Sequence, residues 1–178
     1  MDTPDRTLLY FDRKGGWWTP GILAKSVPYK WGGFDTPESF LKGIQDGKKA
    51  GDVASKWKRQ YGDAVVSTGS VGIDCSGFIS RCWGLSRPYS TKELPQICDR
   101  LNSWDELKMG DILLNDRHVV LFEKWADGGR KIIGYEAGPS PFWRVNSFGL
   151  SKERFQREGY AAWRYRGMTS GSVGVSPT

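Results

Sequence analysis

Apolar and polar positions alternate along the second half of the chain, which is typical of β-strands with one buried face. The pattern predicts five strands, over 111–114, 117–125, 130–137, 142–147 and 160–166. The sequence Asp127-Gly128-Gly129 separates the second strand from the third and favours a tight hairpin turn. The second half therefore predicts an antiparallel sheet.

Helical periodicity and helix-capping residues prevail in the first half. Thr19-Pro20 and Thr36-Pro37 each place a capping residue before a proline, which predicts helices over 20–26 and 36–47. Further helices or helical turns are predicted after Cys75 and over 52–61, 91–98, 104–107 and 151–157. Helices followed by a sheet of five to six strands indicate an α+β fold, with the N-terminal helices packed on one face of the sheet.

The length of 178 residues suits one domain with its own core. We expect an irregular leader over 1–19, the domain over 20–167 and a flexible Ser/Gly/Thr-rich tail over 168–178. The charged segment 1–14 has no apolar h-region, so no secretory signal is expected within this chain. No apolar run approaches the ~20 residues that span a membrane, and we expect a monomer without a membrane span.

The net charge of +6 and the pI near 9.3 favour an acidic partner. Nucleic acid, an anionic cell wall and a membrane surface all fit that description. The basic residues are scattered, and the densest group, Lys56, Lys58 and Arg59, predicts only a solvated helix face. Because no nucleic-acid recognition motif accompanies the charge, nucleic acid is not expected as a partner.

Cys75 is the strongest candidate for a reactive side chain. It lies in a turn formed with Asp74, Ser76 and Gly77, and an apolar helical pattern follows directly. A cysteine at a helix N-terminus faces unpaired N–H groups and the positive end of the helix dipole, which favour the nucleophilic thiolate. The same N–H groups can hold an oxyanion. The alternative is a buried cysteine that only packs.

The chain has three cysteines, an odd number. If Cys75 is a free nucleophile, Cys82 and Cys98 remain as a possible pair, and the sequence does not decide whether they are bridged. Cys82 follows Cys75 by seven residues, which places both on one helix face and predicts that Cys82 points into the core.

His118 is the only histidine, so any cysteine–histidine mechanism must use it. It lies in a predicted strand, which would hold its imidazole rigidly. One histidine and dispersed cysteines do not supply a usual zinc ligand set, and we expect neither a metal nor an organic cofactor. The alternative is a structural histidine with a satisfied hydrogen bond.

A catalytic imidazole needs a third group that fixes its tautomer and orientation. If the predicted hairpin is centred on Gly128, Val120 faces Glu136, and Glu136 becomes the diagonal neighbour of His118 on one sheet face. Diagonal side chains lie ~7–8 Å apart, within reach of a glutamate and an imidazole. A shift of one residue would turn Glu136 away. Asp116 is then the second candidate, and a surface carboxylate is the alternative role of Glu136.

Five segments together resemble the NlpC-type cell-wall cysteine peptidases, papain-like enzymes of bacterial peptidoglycan turnover. These segments are VPYKWGG (27–33), GIDCSGFISRCWG (72–84), LKMGDILL (107–114), RHVVLF (117–122) and IIGYEAG (132–138). The similarity in order and motif extends from about residue 20 to residue 166. The Asp-Cys-Ser-Gly-Phe block is its most specific part.

The resemblance implies a papain-like fold and a catalytic set. Cys75 corresponds to the nucleophile, His118 to the general base that later protonates the leaving amine, and Glu136 to the third polar residue. The family most often has a histidine at this third position and sometimes a polar amide, whereas this chain has a glutamate. A carboxylate stabilises an imidazolium strongly, so activity is expected to survive the difference.

The resemblance also implies a set of oxyanion- and substrate-binding residues. Tyr29 corresponds to the tyrosine whose hydroxyl lies near the thiol, and Trp31 belongs to the same motif. Asp74 and Ser76 correspond to positions that meet the free amino end of the stem peptide. The alternative role of Tyr29 is an aromatic core residue. The segment 34–70 is longer than the family pattern, which predicts an insertion beside the cleft.

The function implied is hydrolysis, through a thioester, of the amide between D-γ-glutamate and the diamino acid (mDAP or Lys) of a peptidoglycan stem peptide. The substrate is then peptidoglycan or a muropeptide, and the cell envelope or the exterior is the expected location, with the cytoplasm left open. The enzymatic alternatives are an N-acetylmuramoyl-L-alanine amidase and an acyltransferase. The non-enzymatic alternative is a cell-wall binding module built on the nine tryptophans.

Overall fold

Six strands form one antiparallel sheet. Numbered along the chain, they are β3 (Cys98–Arg100), β4 (Ile112–Leu114), β5 (Val119–Ala126), β6 (Lys131–Ala137), β7 (Val145–Ser151) and β8 (Ala161–Tyr165). Their order across the sheet is β3-β8-β4-β5-β6-β7. The computed structural model describes residues 23–138 and 142–168. The predicted leader and all but the first residue of the predicted tail lie outside the described residues.

Four helices and a second, two-stranded sheet complete the α+β fold. The helices are α1 (Pro37–Gln45), α2 (Lys56–Tyr61), α3 (Cys75–Cys82) and α4 (Lys152–Arg157). The small sheet pairs β1 (Lys49–Ala50) with β2 (Ser70–Val71) in parallel. Single 3₁₀ turns occupy Gly62–Val65, Leu94–Ile97 and Trp104–Glu106. Asp127, Gly128 and Gly129 form the hairpin turn between β5 and β6, with φ of 53°, 61° and 84°.

The main sheet has an apolar core on each face, because successive side chains of a strand point to opposite sides. Leu114 and Val119 belong to the core that includes Cys75 and Ile79 of α3. The core on the opposite face contains Phe155 of α4. The sheet contributes these residues to it: Leu113, Val120, Phe122, Ile132 and Ala162. The expectation that the N-terminal helices share one sheet face holds for α3 only, because α1 packs against the small sheet through Phe40 and Val71.

Two helix predictions were wrong where pairing with a strand prevailed. Residues 23–26 of the predicted helix 20–26 are not helical, and residues 20–22 lie outside the described range. The chain there runs beside β7, with Val145 N–H donating to Val27 O at 3.0 Å. The predicted helix 91–98 is a short 3₁₀ turn over Leu94–Ile97, after which Cys98 pairs with Tyr165.

Cys82 does not point into the core, contrary to the heptad argument. It is exposed and is the last residue of α3. The next residue, Trp83, fills the core position instead, since it stacks on Tyr165 with ring centroids 4.9 Å apart. Its Nε1 also donates to Gly110 O at 2.9 Å.

Candidate active site

The turn before Cys75 is fixed by two loops that approach each other too closely for side chains. Asp74 N–H donates to Gly33 O at 3.1 Å. A Cβ on Gly77 would lie 2.1 Å from Gly33 O, and a Cβ on Gly33 would lie 2.5 Å from Gly72 O. Only glycine fits these positions. The loop that carries Tyr29 is therefore held directly against the N-terminus of α3.

Asp74 is the N-cap of α3 and makes Cys75 the first helical residue. Its Oδ1 accepts from Gly77 N–H at 2.6 Å and from Ser76 Oγ at 3.1 Å, and its Oδ2 accepts from Gly32 N–H at 3.0 Å. These contacts orient the turn around the thiol. A contact of Asp74 and Ser76 with a substrate amine stays a prediction.

Cys75 is 7% exposed and lies near the imidazole of His118, whose pKa its negative charge raises. Its position at the start of α3 directs the helix dipole at the sulfur, which favours a negative charge there. The structure thus brings together the two residues on which a cysteine–histidine mechanism depends.

The second ring nitrogen of the imidazole binds the predicted third residue. His118 Nε2 lies 2.5 Å from Glu136 Oε2, and each of the two side chains is 15% exposed. Because Nε2 is engaged by Glu136, Nδ1 is the ring nitrogen left to interact with Cys75. Burial lowers the pKa of His118, but the charge and hydrogen bond of Cys75, followed by those of Glu136, outweigh burial and raise this pKa to about 10.

The hairpin register explains why Glu136 reaches the imidazole. Leu121 faces Tyr135, so Val120 lies opposite Glu136, as the sequence predicts. A bulge between Phe122 and Lys124 shifts the pairing nearer the turn without altering this end. The other candidate, Asp116, is exposed and has no hydrogen bond to His118 among the described residues.

Asn146 is a residue of the site that the sequence did not indicate. It is the cross-strand partner of Glu136 on β7, and its Nδ2 lies 3.4 Å from Glu136 Oε1. The carboxylate is thereby held from both sides, by the imidazole and by the amide. Only the pairing of β6 with β7 reveals this contact, and the sequence carries no signal for it.

Asn115 positions the backbone of His118. Its Oδ1 accepts from the N–H groups of Arg117 at 3.0 Å and His118 at 2.9 Å, and its own N–H donates to His118 O at 3.0 Å. Its Nδ2 donates to Glu158 O at 3.1 Å, which ties the turn to the end of α4. An asparagine that closes a turn onto its own backbone is common, and this signal was present in the sequence.

Tyr29 is 5% exposed and lies within the electrostatic range of Cys75. Burial and then the negative charges of Cys75 and Asp74 raise the pKa of its hydroxyl well above the ordinary value. The hydroxyl therefore stays protonated at neutral pH and can donate a hydrogen bond. An edge contact with Trp143, with ring centroids 5.4 Å apart, fixes the ring. Tyr29 thus serves the core and also faces the site.

Trp31 connects the Tyr29 loop to the segment 34–70. Its Nε1 donates to Gly62 O at 3.2 Å, and the guanidinium of Arg59 lies 5.8 Å from its ring centroid. It shares an apolar cluster with Tyr29. The contacts place Trp31 next to the oxyanion candidate, and its contact with a substrate stays a prediction.

The predicted insertion 34–70 enters the site through the backbone of Asp52. Asp52 N–H donates to Tyr29 O at 2.9 Å, and Trp31 N–H donates to Asp52 O at 2.8 Å. The side chain of Asp52 forms a fully buried ion pair with Lys58, with Oδ1 and Nζ 2.5 Å apart. Burial raises the pKa of Asp52 to about 7, against the effect of Lys30, and lowers that of Lys58 to about 8. Lys58 is thus not part of a solvated face.

The other two cysteines are not bridged. Cys82 is exposed and Cys98 is buried, and both are free thiols. Burial raises the pKa of Cys98 to about 12, so this thiol is unreactive at neutral pH. Within residues 23–138 and 142–168, no group of three or more His, Cys, Asp or Glu side chains is arranged to hold a metal ion.

Helices of the described part of the chain are all too short or too polar to cross a bilayer. In comparisons with known proteins, no family model, no curated protein and no solved structure matches this sequence or fold. Any assignment of function therefore depends on the geometry of Cys75, His118 and Glu136 and on the motifs around them.

Proposed function

We propose that the protein is a cysteine peptidase of the papain-like NlpC type that hydrolyses an amide bond in peptidoglycan stem peptides. The observation that carries the proposal is the continuous chain from Cys75 through His118 to Glu136. A nucleophile hydrogen-bonded to a base, which is itself oriented by a third group, is the arrangement that covalent acyl transfer needs.

In the acylation step, Cys75 Sγ attacks the carbonyl carbon of the scissile amide. A carbon–sulfur bond forms, the carbonyl electron pair moves to oxygen, and the tetrahedral adduct collapses when the carbon–nitrogen bond breaks. His118 gives its proton to the departing amine. Glu136 stabilises the imidazolium before this transfer, which fits the raised pKa of His118.

In the deacylation step, neutral His118 accepts a proton from water as the water oxygen attacks the thioester. The carbon–sulfur bond breaks, the acid leaves, and the thiolate–imidazolium pair is restored. The Cys75 N–H at the start of α3 and the Tyr29 hydroxyl are the donors assigned to the oxyanion in both steps.

The substrate class follows from the motif resemblance and the charge of the protein. The scissile bond proposed is that between D-γ-glutamate and the diamino acid, and the net charge of +6 suits an anionic wall polymer. The cell envelope or the exterior is the location in which such a substrate is met. Glutamate at position 136, in place of the family's usual histidine, supports a thiolate–imidazolium pair.

The test is digestion of defined muropeptides by the wild type and by Cys75→Ala, with the products identified by mass spectrometry. We expect a new amino terminus on the diamino acid with the wild type and no turnover with Cys75→Ala. A new amino terminus on the L-alanine would indicate an amidase, and a product joined to an added amine would indicate an acyltransferase. Equal turnover by both proteins would refute the catalytic assignment.

A further inference from the structure

A polar cavity of about 360 Å³ lies outside the catalytic triad, against β3 and β8. The residues that line it include Arg100, Asn102, Trp104 and Tyr160, next to the start of β8. Within the described residues, Arg100 has no ion pair and neither Asn102 nor Trp104 has a side-chain hydrogen bond. The cavity therefore presents a guanidinium, an amide and an indole N–H that no protein acceptor occupies.

The acidic side chains nearest to this lining in sequence are directed to other partners, and Asp99, which directly precedes Arg100, pairs with Arg166, with Oδ1 and Nη1 3.2 Å apart. Asp105 pairs with Lys152, with Oδ1 and Nζ 3.2 Å apart. Glu106 Oε1 accepts from Ser103 N–H at 2.9 Å, in the capping box of the Trp104–Glu106 turn. The positive charge of Arg100 is thus not neutralised locally, and a ligand with a negative group would complement it.

The cavity lies at the same end of the sheet as the catalytic imidazole. Val119, Leu114 and Ala161 are cross-strand partners in one row over β5, β4 and β8. His118 precedes the first of them, and Tyr160 precedes the last. Two strand-to-strand steps of ~4.8 Å place the backbone of His118 about 10 Å from that of Tyr160, which lines the cavity.

Tyr160 lines the cavity and lies within the electrostatic range of the triad. Partial burial and then the negative charges of Glu136, Glu158 and Cys75 raise the pKa of its hydroxyl. The hydroxyl therefore keeps its proton and can act as a donor toward a carboxylate.

The cavity lies on the side of the triad opposite to the Tyr29 loop. That loop runs beside the start of β7, with Tyr29 N–H donating to Trp143 O at 2.8 Å, whereas the cavity adjoins β8 and β3 at the far edge of the sheet. In the proposed reaction, the Tyr29 loop and Asp74 serve the acyl part of the substrate. His118 protonates the amine of the other part, which leaves toward the cavity.

We infer that this cavity is a subsite for the terminal carboxylate of the leaving fragment, with Arg100 as its anionic-group receptor. An extended chain covers ~3.3–3.6 Å per residue, so ~10 Å corresponds to a carboxylate two to three residues beyond the scissile bond. The inference rests on the proposed function and adds a preference for leaving fragments that end in a free carboxylate at that distance.

The test uses Cys75→Ala protein and calorimetry, so that binding is measured without turnover. The probes are L-Ala-γ-D-Glu-L-Lys-D-Ala and the same peptide extended by one D-Ala, each ending in a carboxylate or a carboxamide. We expect the acid to bind about tenfold more tightly than the amide, and this preference to disappear in Cys75→Ala/Arg100→Gln. Arg100 is exposed and without an ion pair among the described residues, so its substitution should leave the fold intact.

Arg130→Gln is the matched control, because it removes the same charge at the hairpin tip, about 25 Å away along β5. Its guanidinium contacts only the exposed Asp127 among the described residues. Equal affinity for acid and amide, or a preference that survives Arg100→Gln, would overturn the inference. Turnover of the same peptides by the wild type is scored separately, so a failed peptidase proposal and a failed subsite are distinguished.

Discussion

His118 directly precedes β5 and lies diagonally across from Glu136 of the adjacent antiparallel strand β6, with Nε2 and Oε2 2.5 Å apart. Cys75, at the start of α3, acts on the same imidazole, and its charge contributes most to the raised pKa of His118. The hairpin register thus determines which carboxylate engages Nε2 of this imidazole.

Replacing Glu136 by glutamine should move the alkaline limit of activity to lower pH. Cys75 and, to a smaller extent, Glu136 raise the pKa of His118 to about 10 against the effect of burial, so loss of the carboxylate charge lowers that pKa, and the imidazolium of the proposed mechanism disappears at lower pH. We expect a shift of at least about one pH unit in the alkaline limb of kcat/KM and a fall of about 10-fold to 100-fold at neutral pH. The rate of alkylation of Cys75 by iodoacetamide, measured against pH, should show the same shift.

Glu123→Gln is the control for this experiment, because Glu123 pairs only with Lys124, at 3.1 Å, among the described residues. Its pH profile should match that of the wild type. An unchanged alkaline limb in Glu136→Gln would show that the carboxylate does not act on the imidazole.

Tyr29→Phe should reduce kcat with little change in KM. The ring and its contact with Trp143 remain, while the hydroxyl assigned to the oxyanion is removed. Loss of one oxyanion donor costs about 100-fold in kcat. Steady-state kinetics on a defined muropeptide measures this, with the exposed Tyr135→Phe as the control. A normal kcat in Tyr29→Phe would leave Tyr29 with a role in the core alone.

Asn115→Ala should weaken both the fold and the chemistry, whereas Asn115→Asp should restore most of the chemistry. Alanine removes the acceptor of the Arg117 and His118 N–H groups, at a cost of about 1–2 kcal/mol in the free energy of unfolding. Aspartate keeps that acceptor and loses only the bond to Glu158 O. Urea denaturation and kcat check the two effects, and equal kcat in the two variants would argue against backbone positioning.

Lys58→Met should destabilise the protein strongly, because it leaves Asp52 as a buried carboxylate without its cation. Breaking one side of a buried pair costs about 3–5 kcal/mol, whereas replacing both partners by apolar residues is often nearly neutral. We expect Asp52→Leu/Lys58→Met to recover most of the loss in urea denaturation. A double variant no more stable than Lys58→Met would mean that the pair is needed for reasons other than charge compensation.

Much of the site could be predicted because its determinants are local in the sequence. The N-cap and the glycines around Cys75 specify their own turn, and the Asp-Gly-Gly hairpin sets the register that brings Glu136 to His118. Asn146 could not be predicted, because its contact depends on how β7 pairs with β6. Pairing across a long connection leaves no periodic signal in either segment.

The fold shows the same division between local and non-local determinants. Helix α1 has a capping box at Thr36 and Ser39 and begins where the sequence indicates. Cys98, the first residue of β3, was predicted as the end of a helix, and its pairing with Tyr165 of β8 makes it extended. Lys58 was assigned to solvent because its helix is basic, but Asp52 binds it inside the protein. The sequence around a basic residue does not show whether an acidic side chain from another segment will pair with it in the interior.

The backbone of Asp52 lies between Tyr29 and Trp31 and bonds to both. The segment 34–70 therefore supports the loop that carries Tyr29 and Trp31 in the candidate active site. Deleting the segment to shorten the protein would remove the backbone hydrogen bonds that hold Tyr29 and Trp31 in place. Attempts to transplant the active-site motifs onto a smaller scaffold would have to bring this segment along.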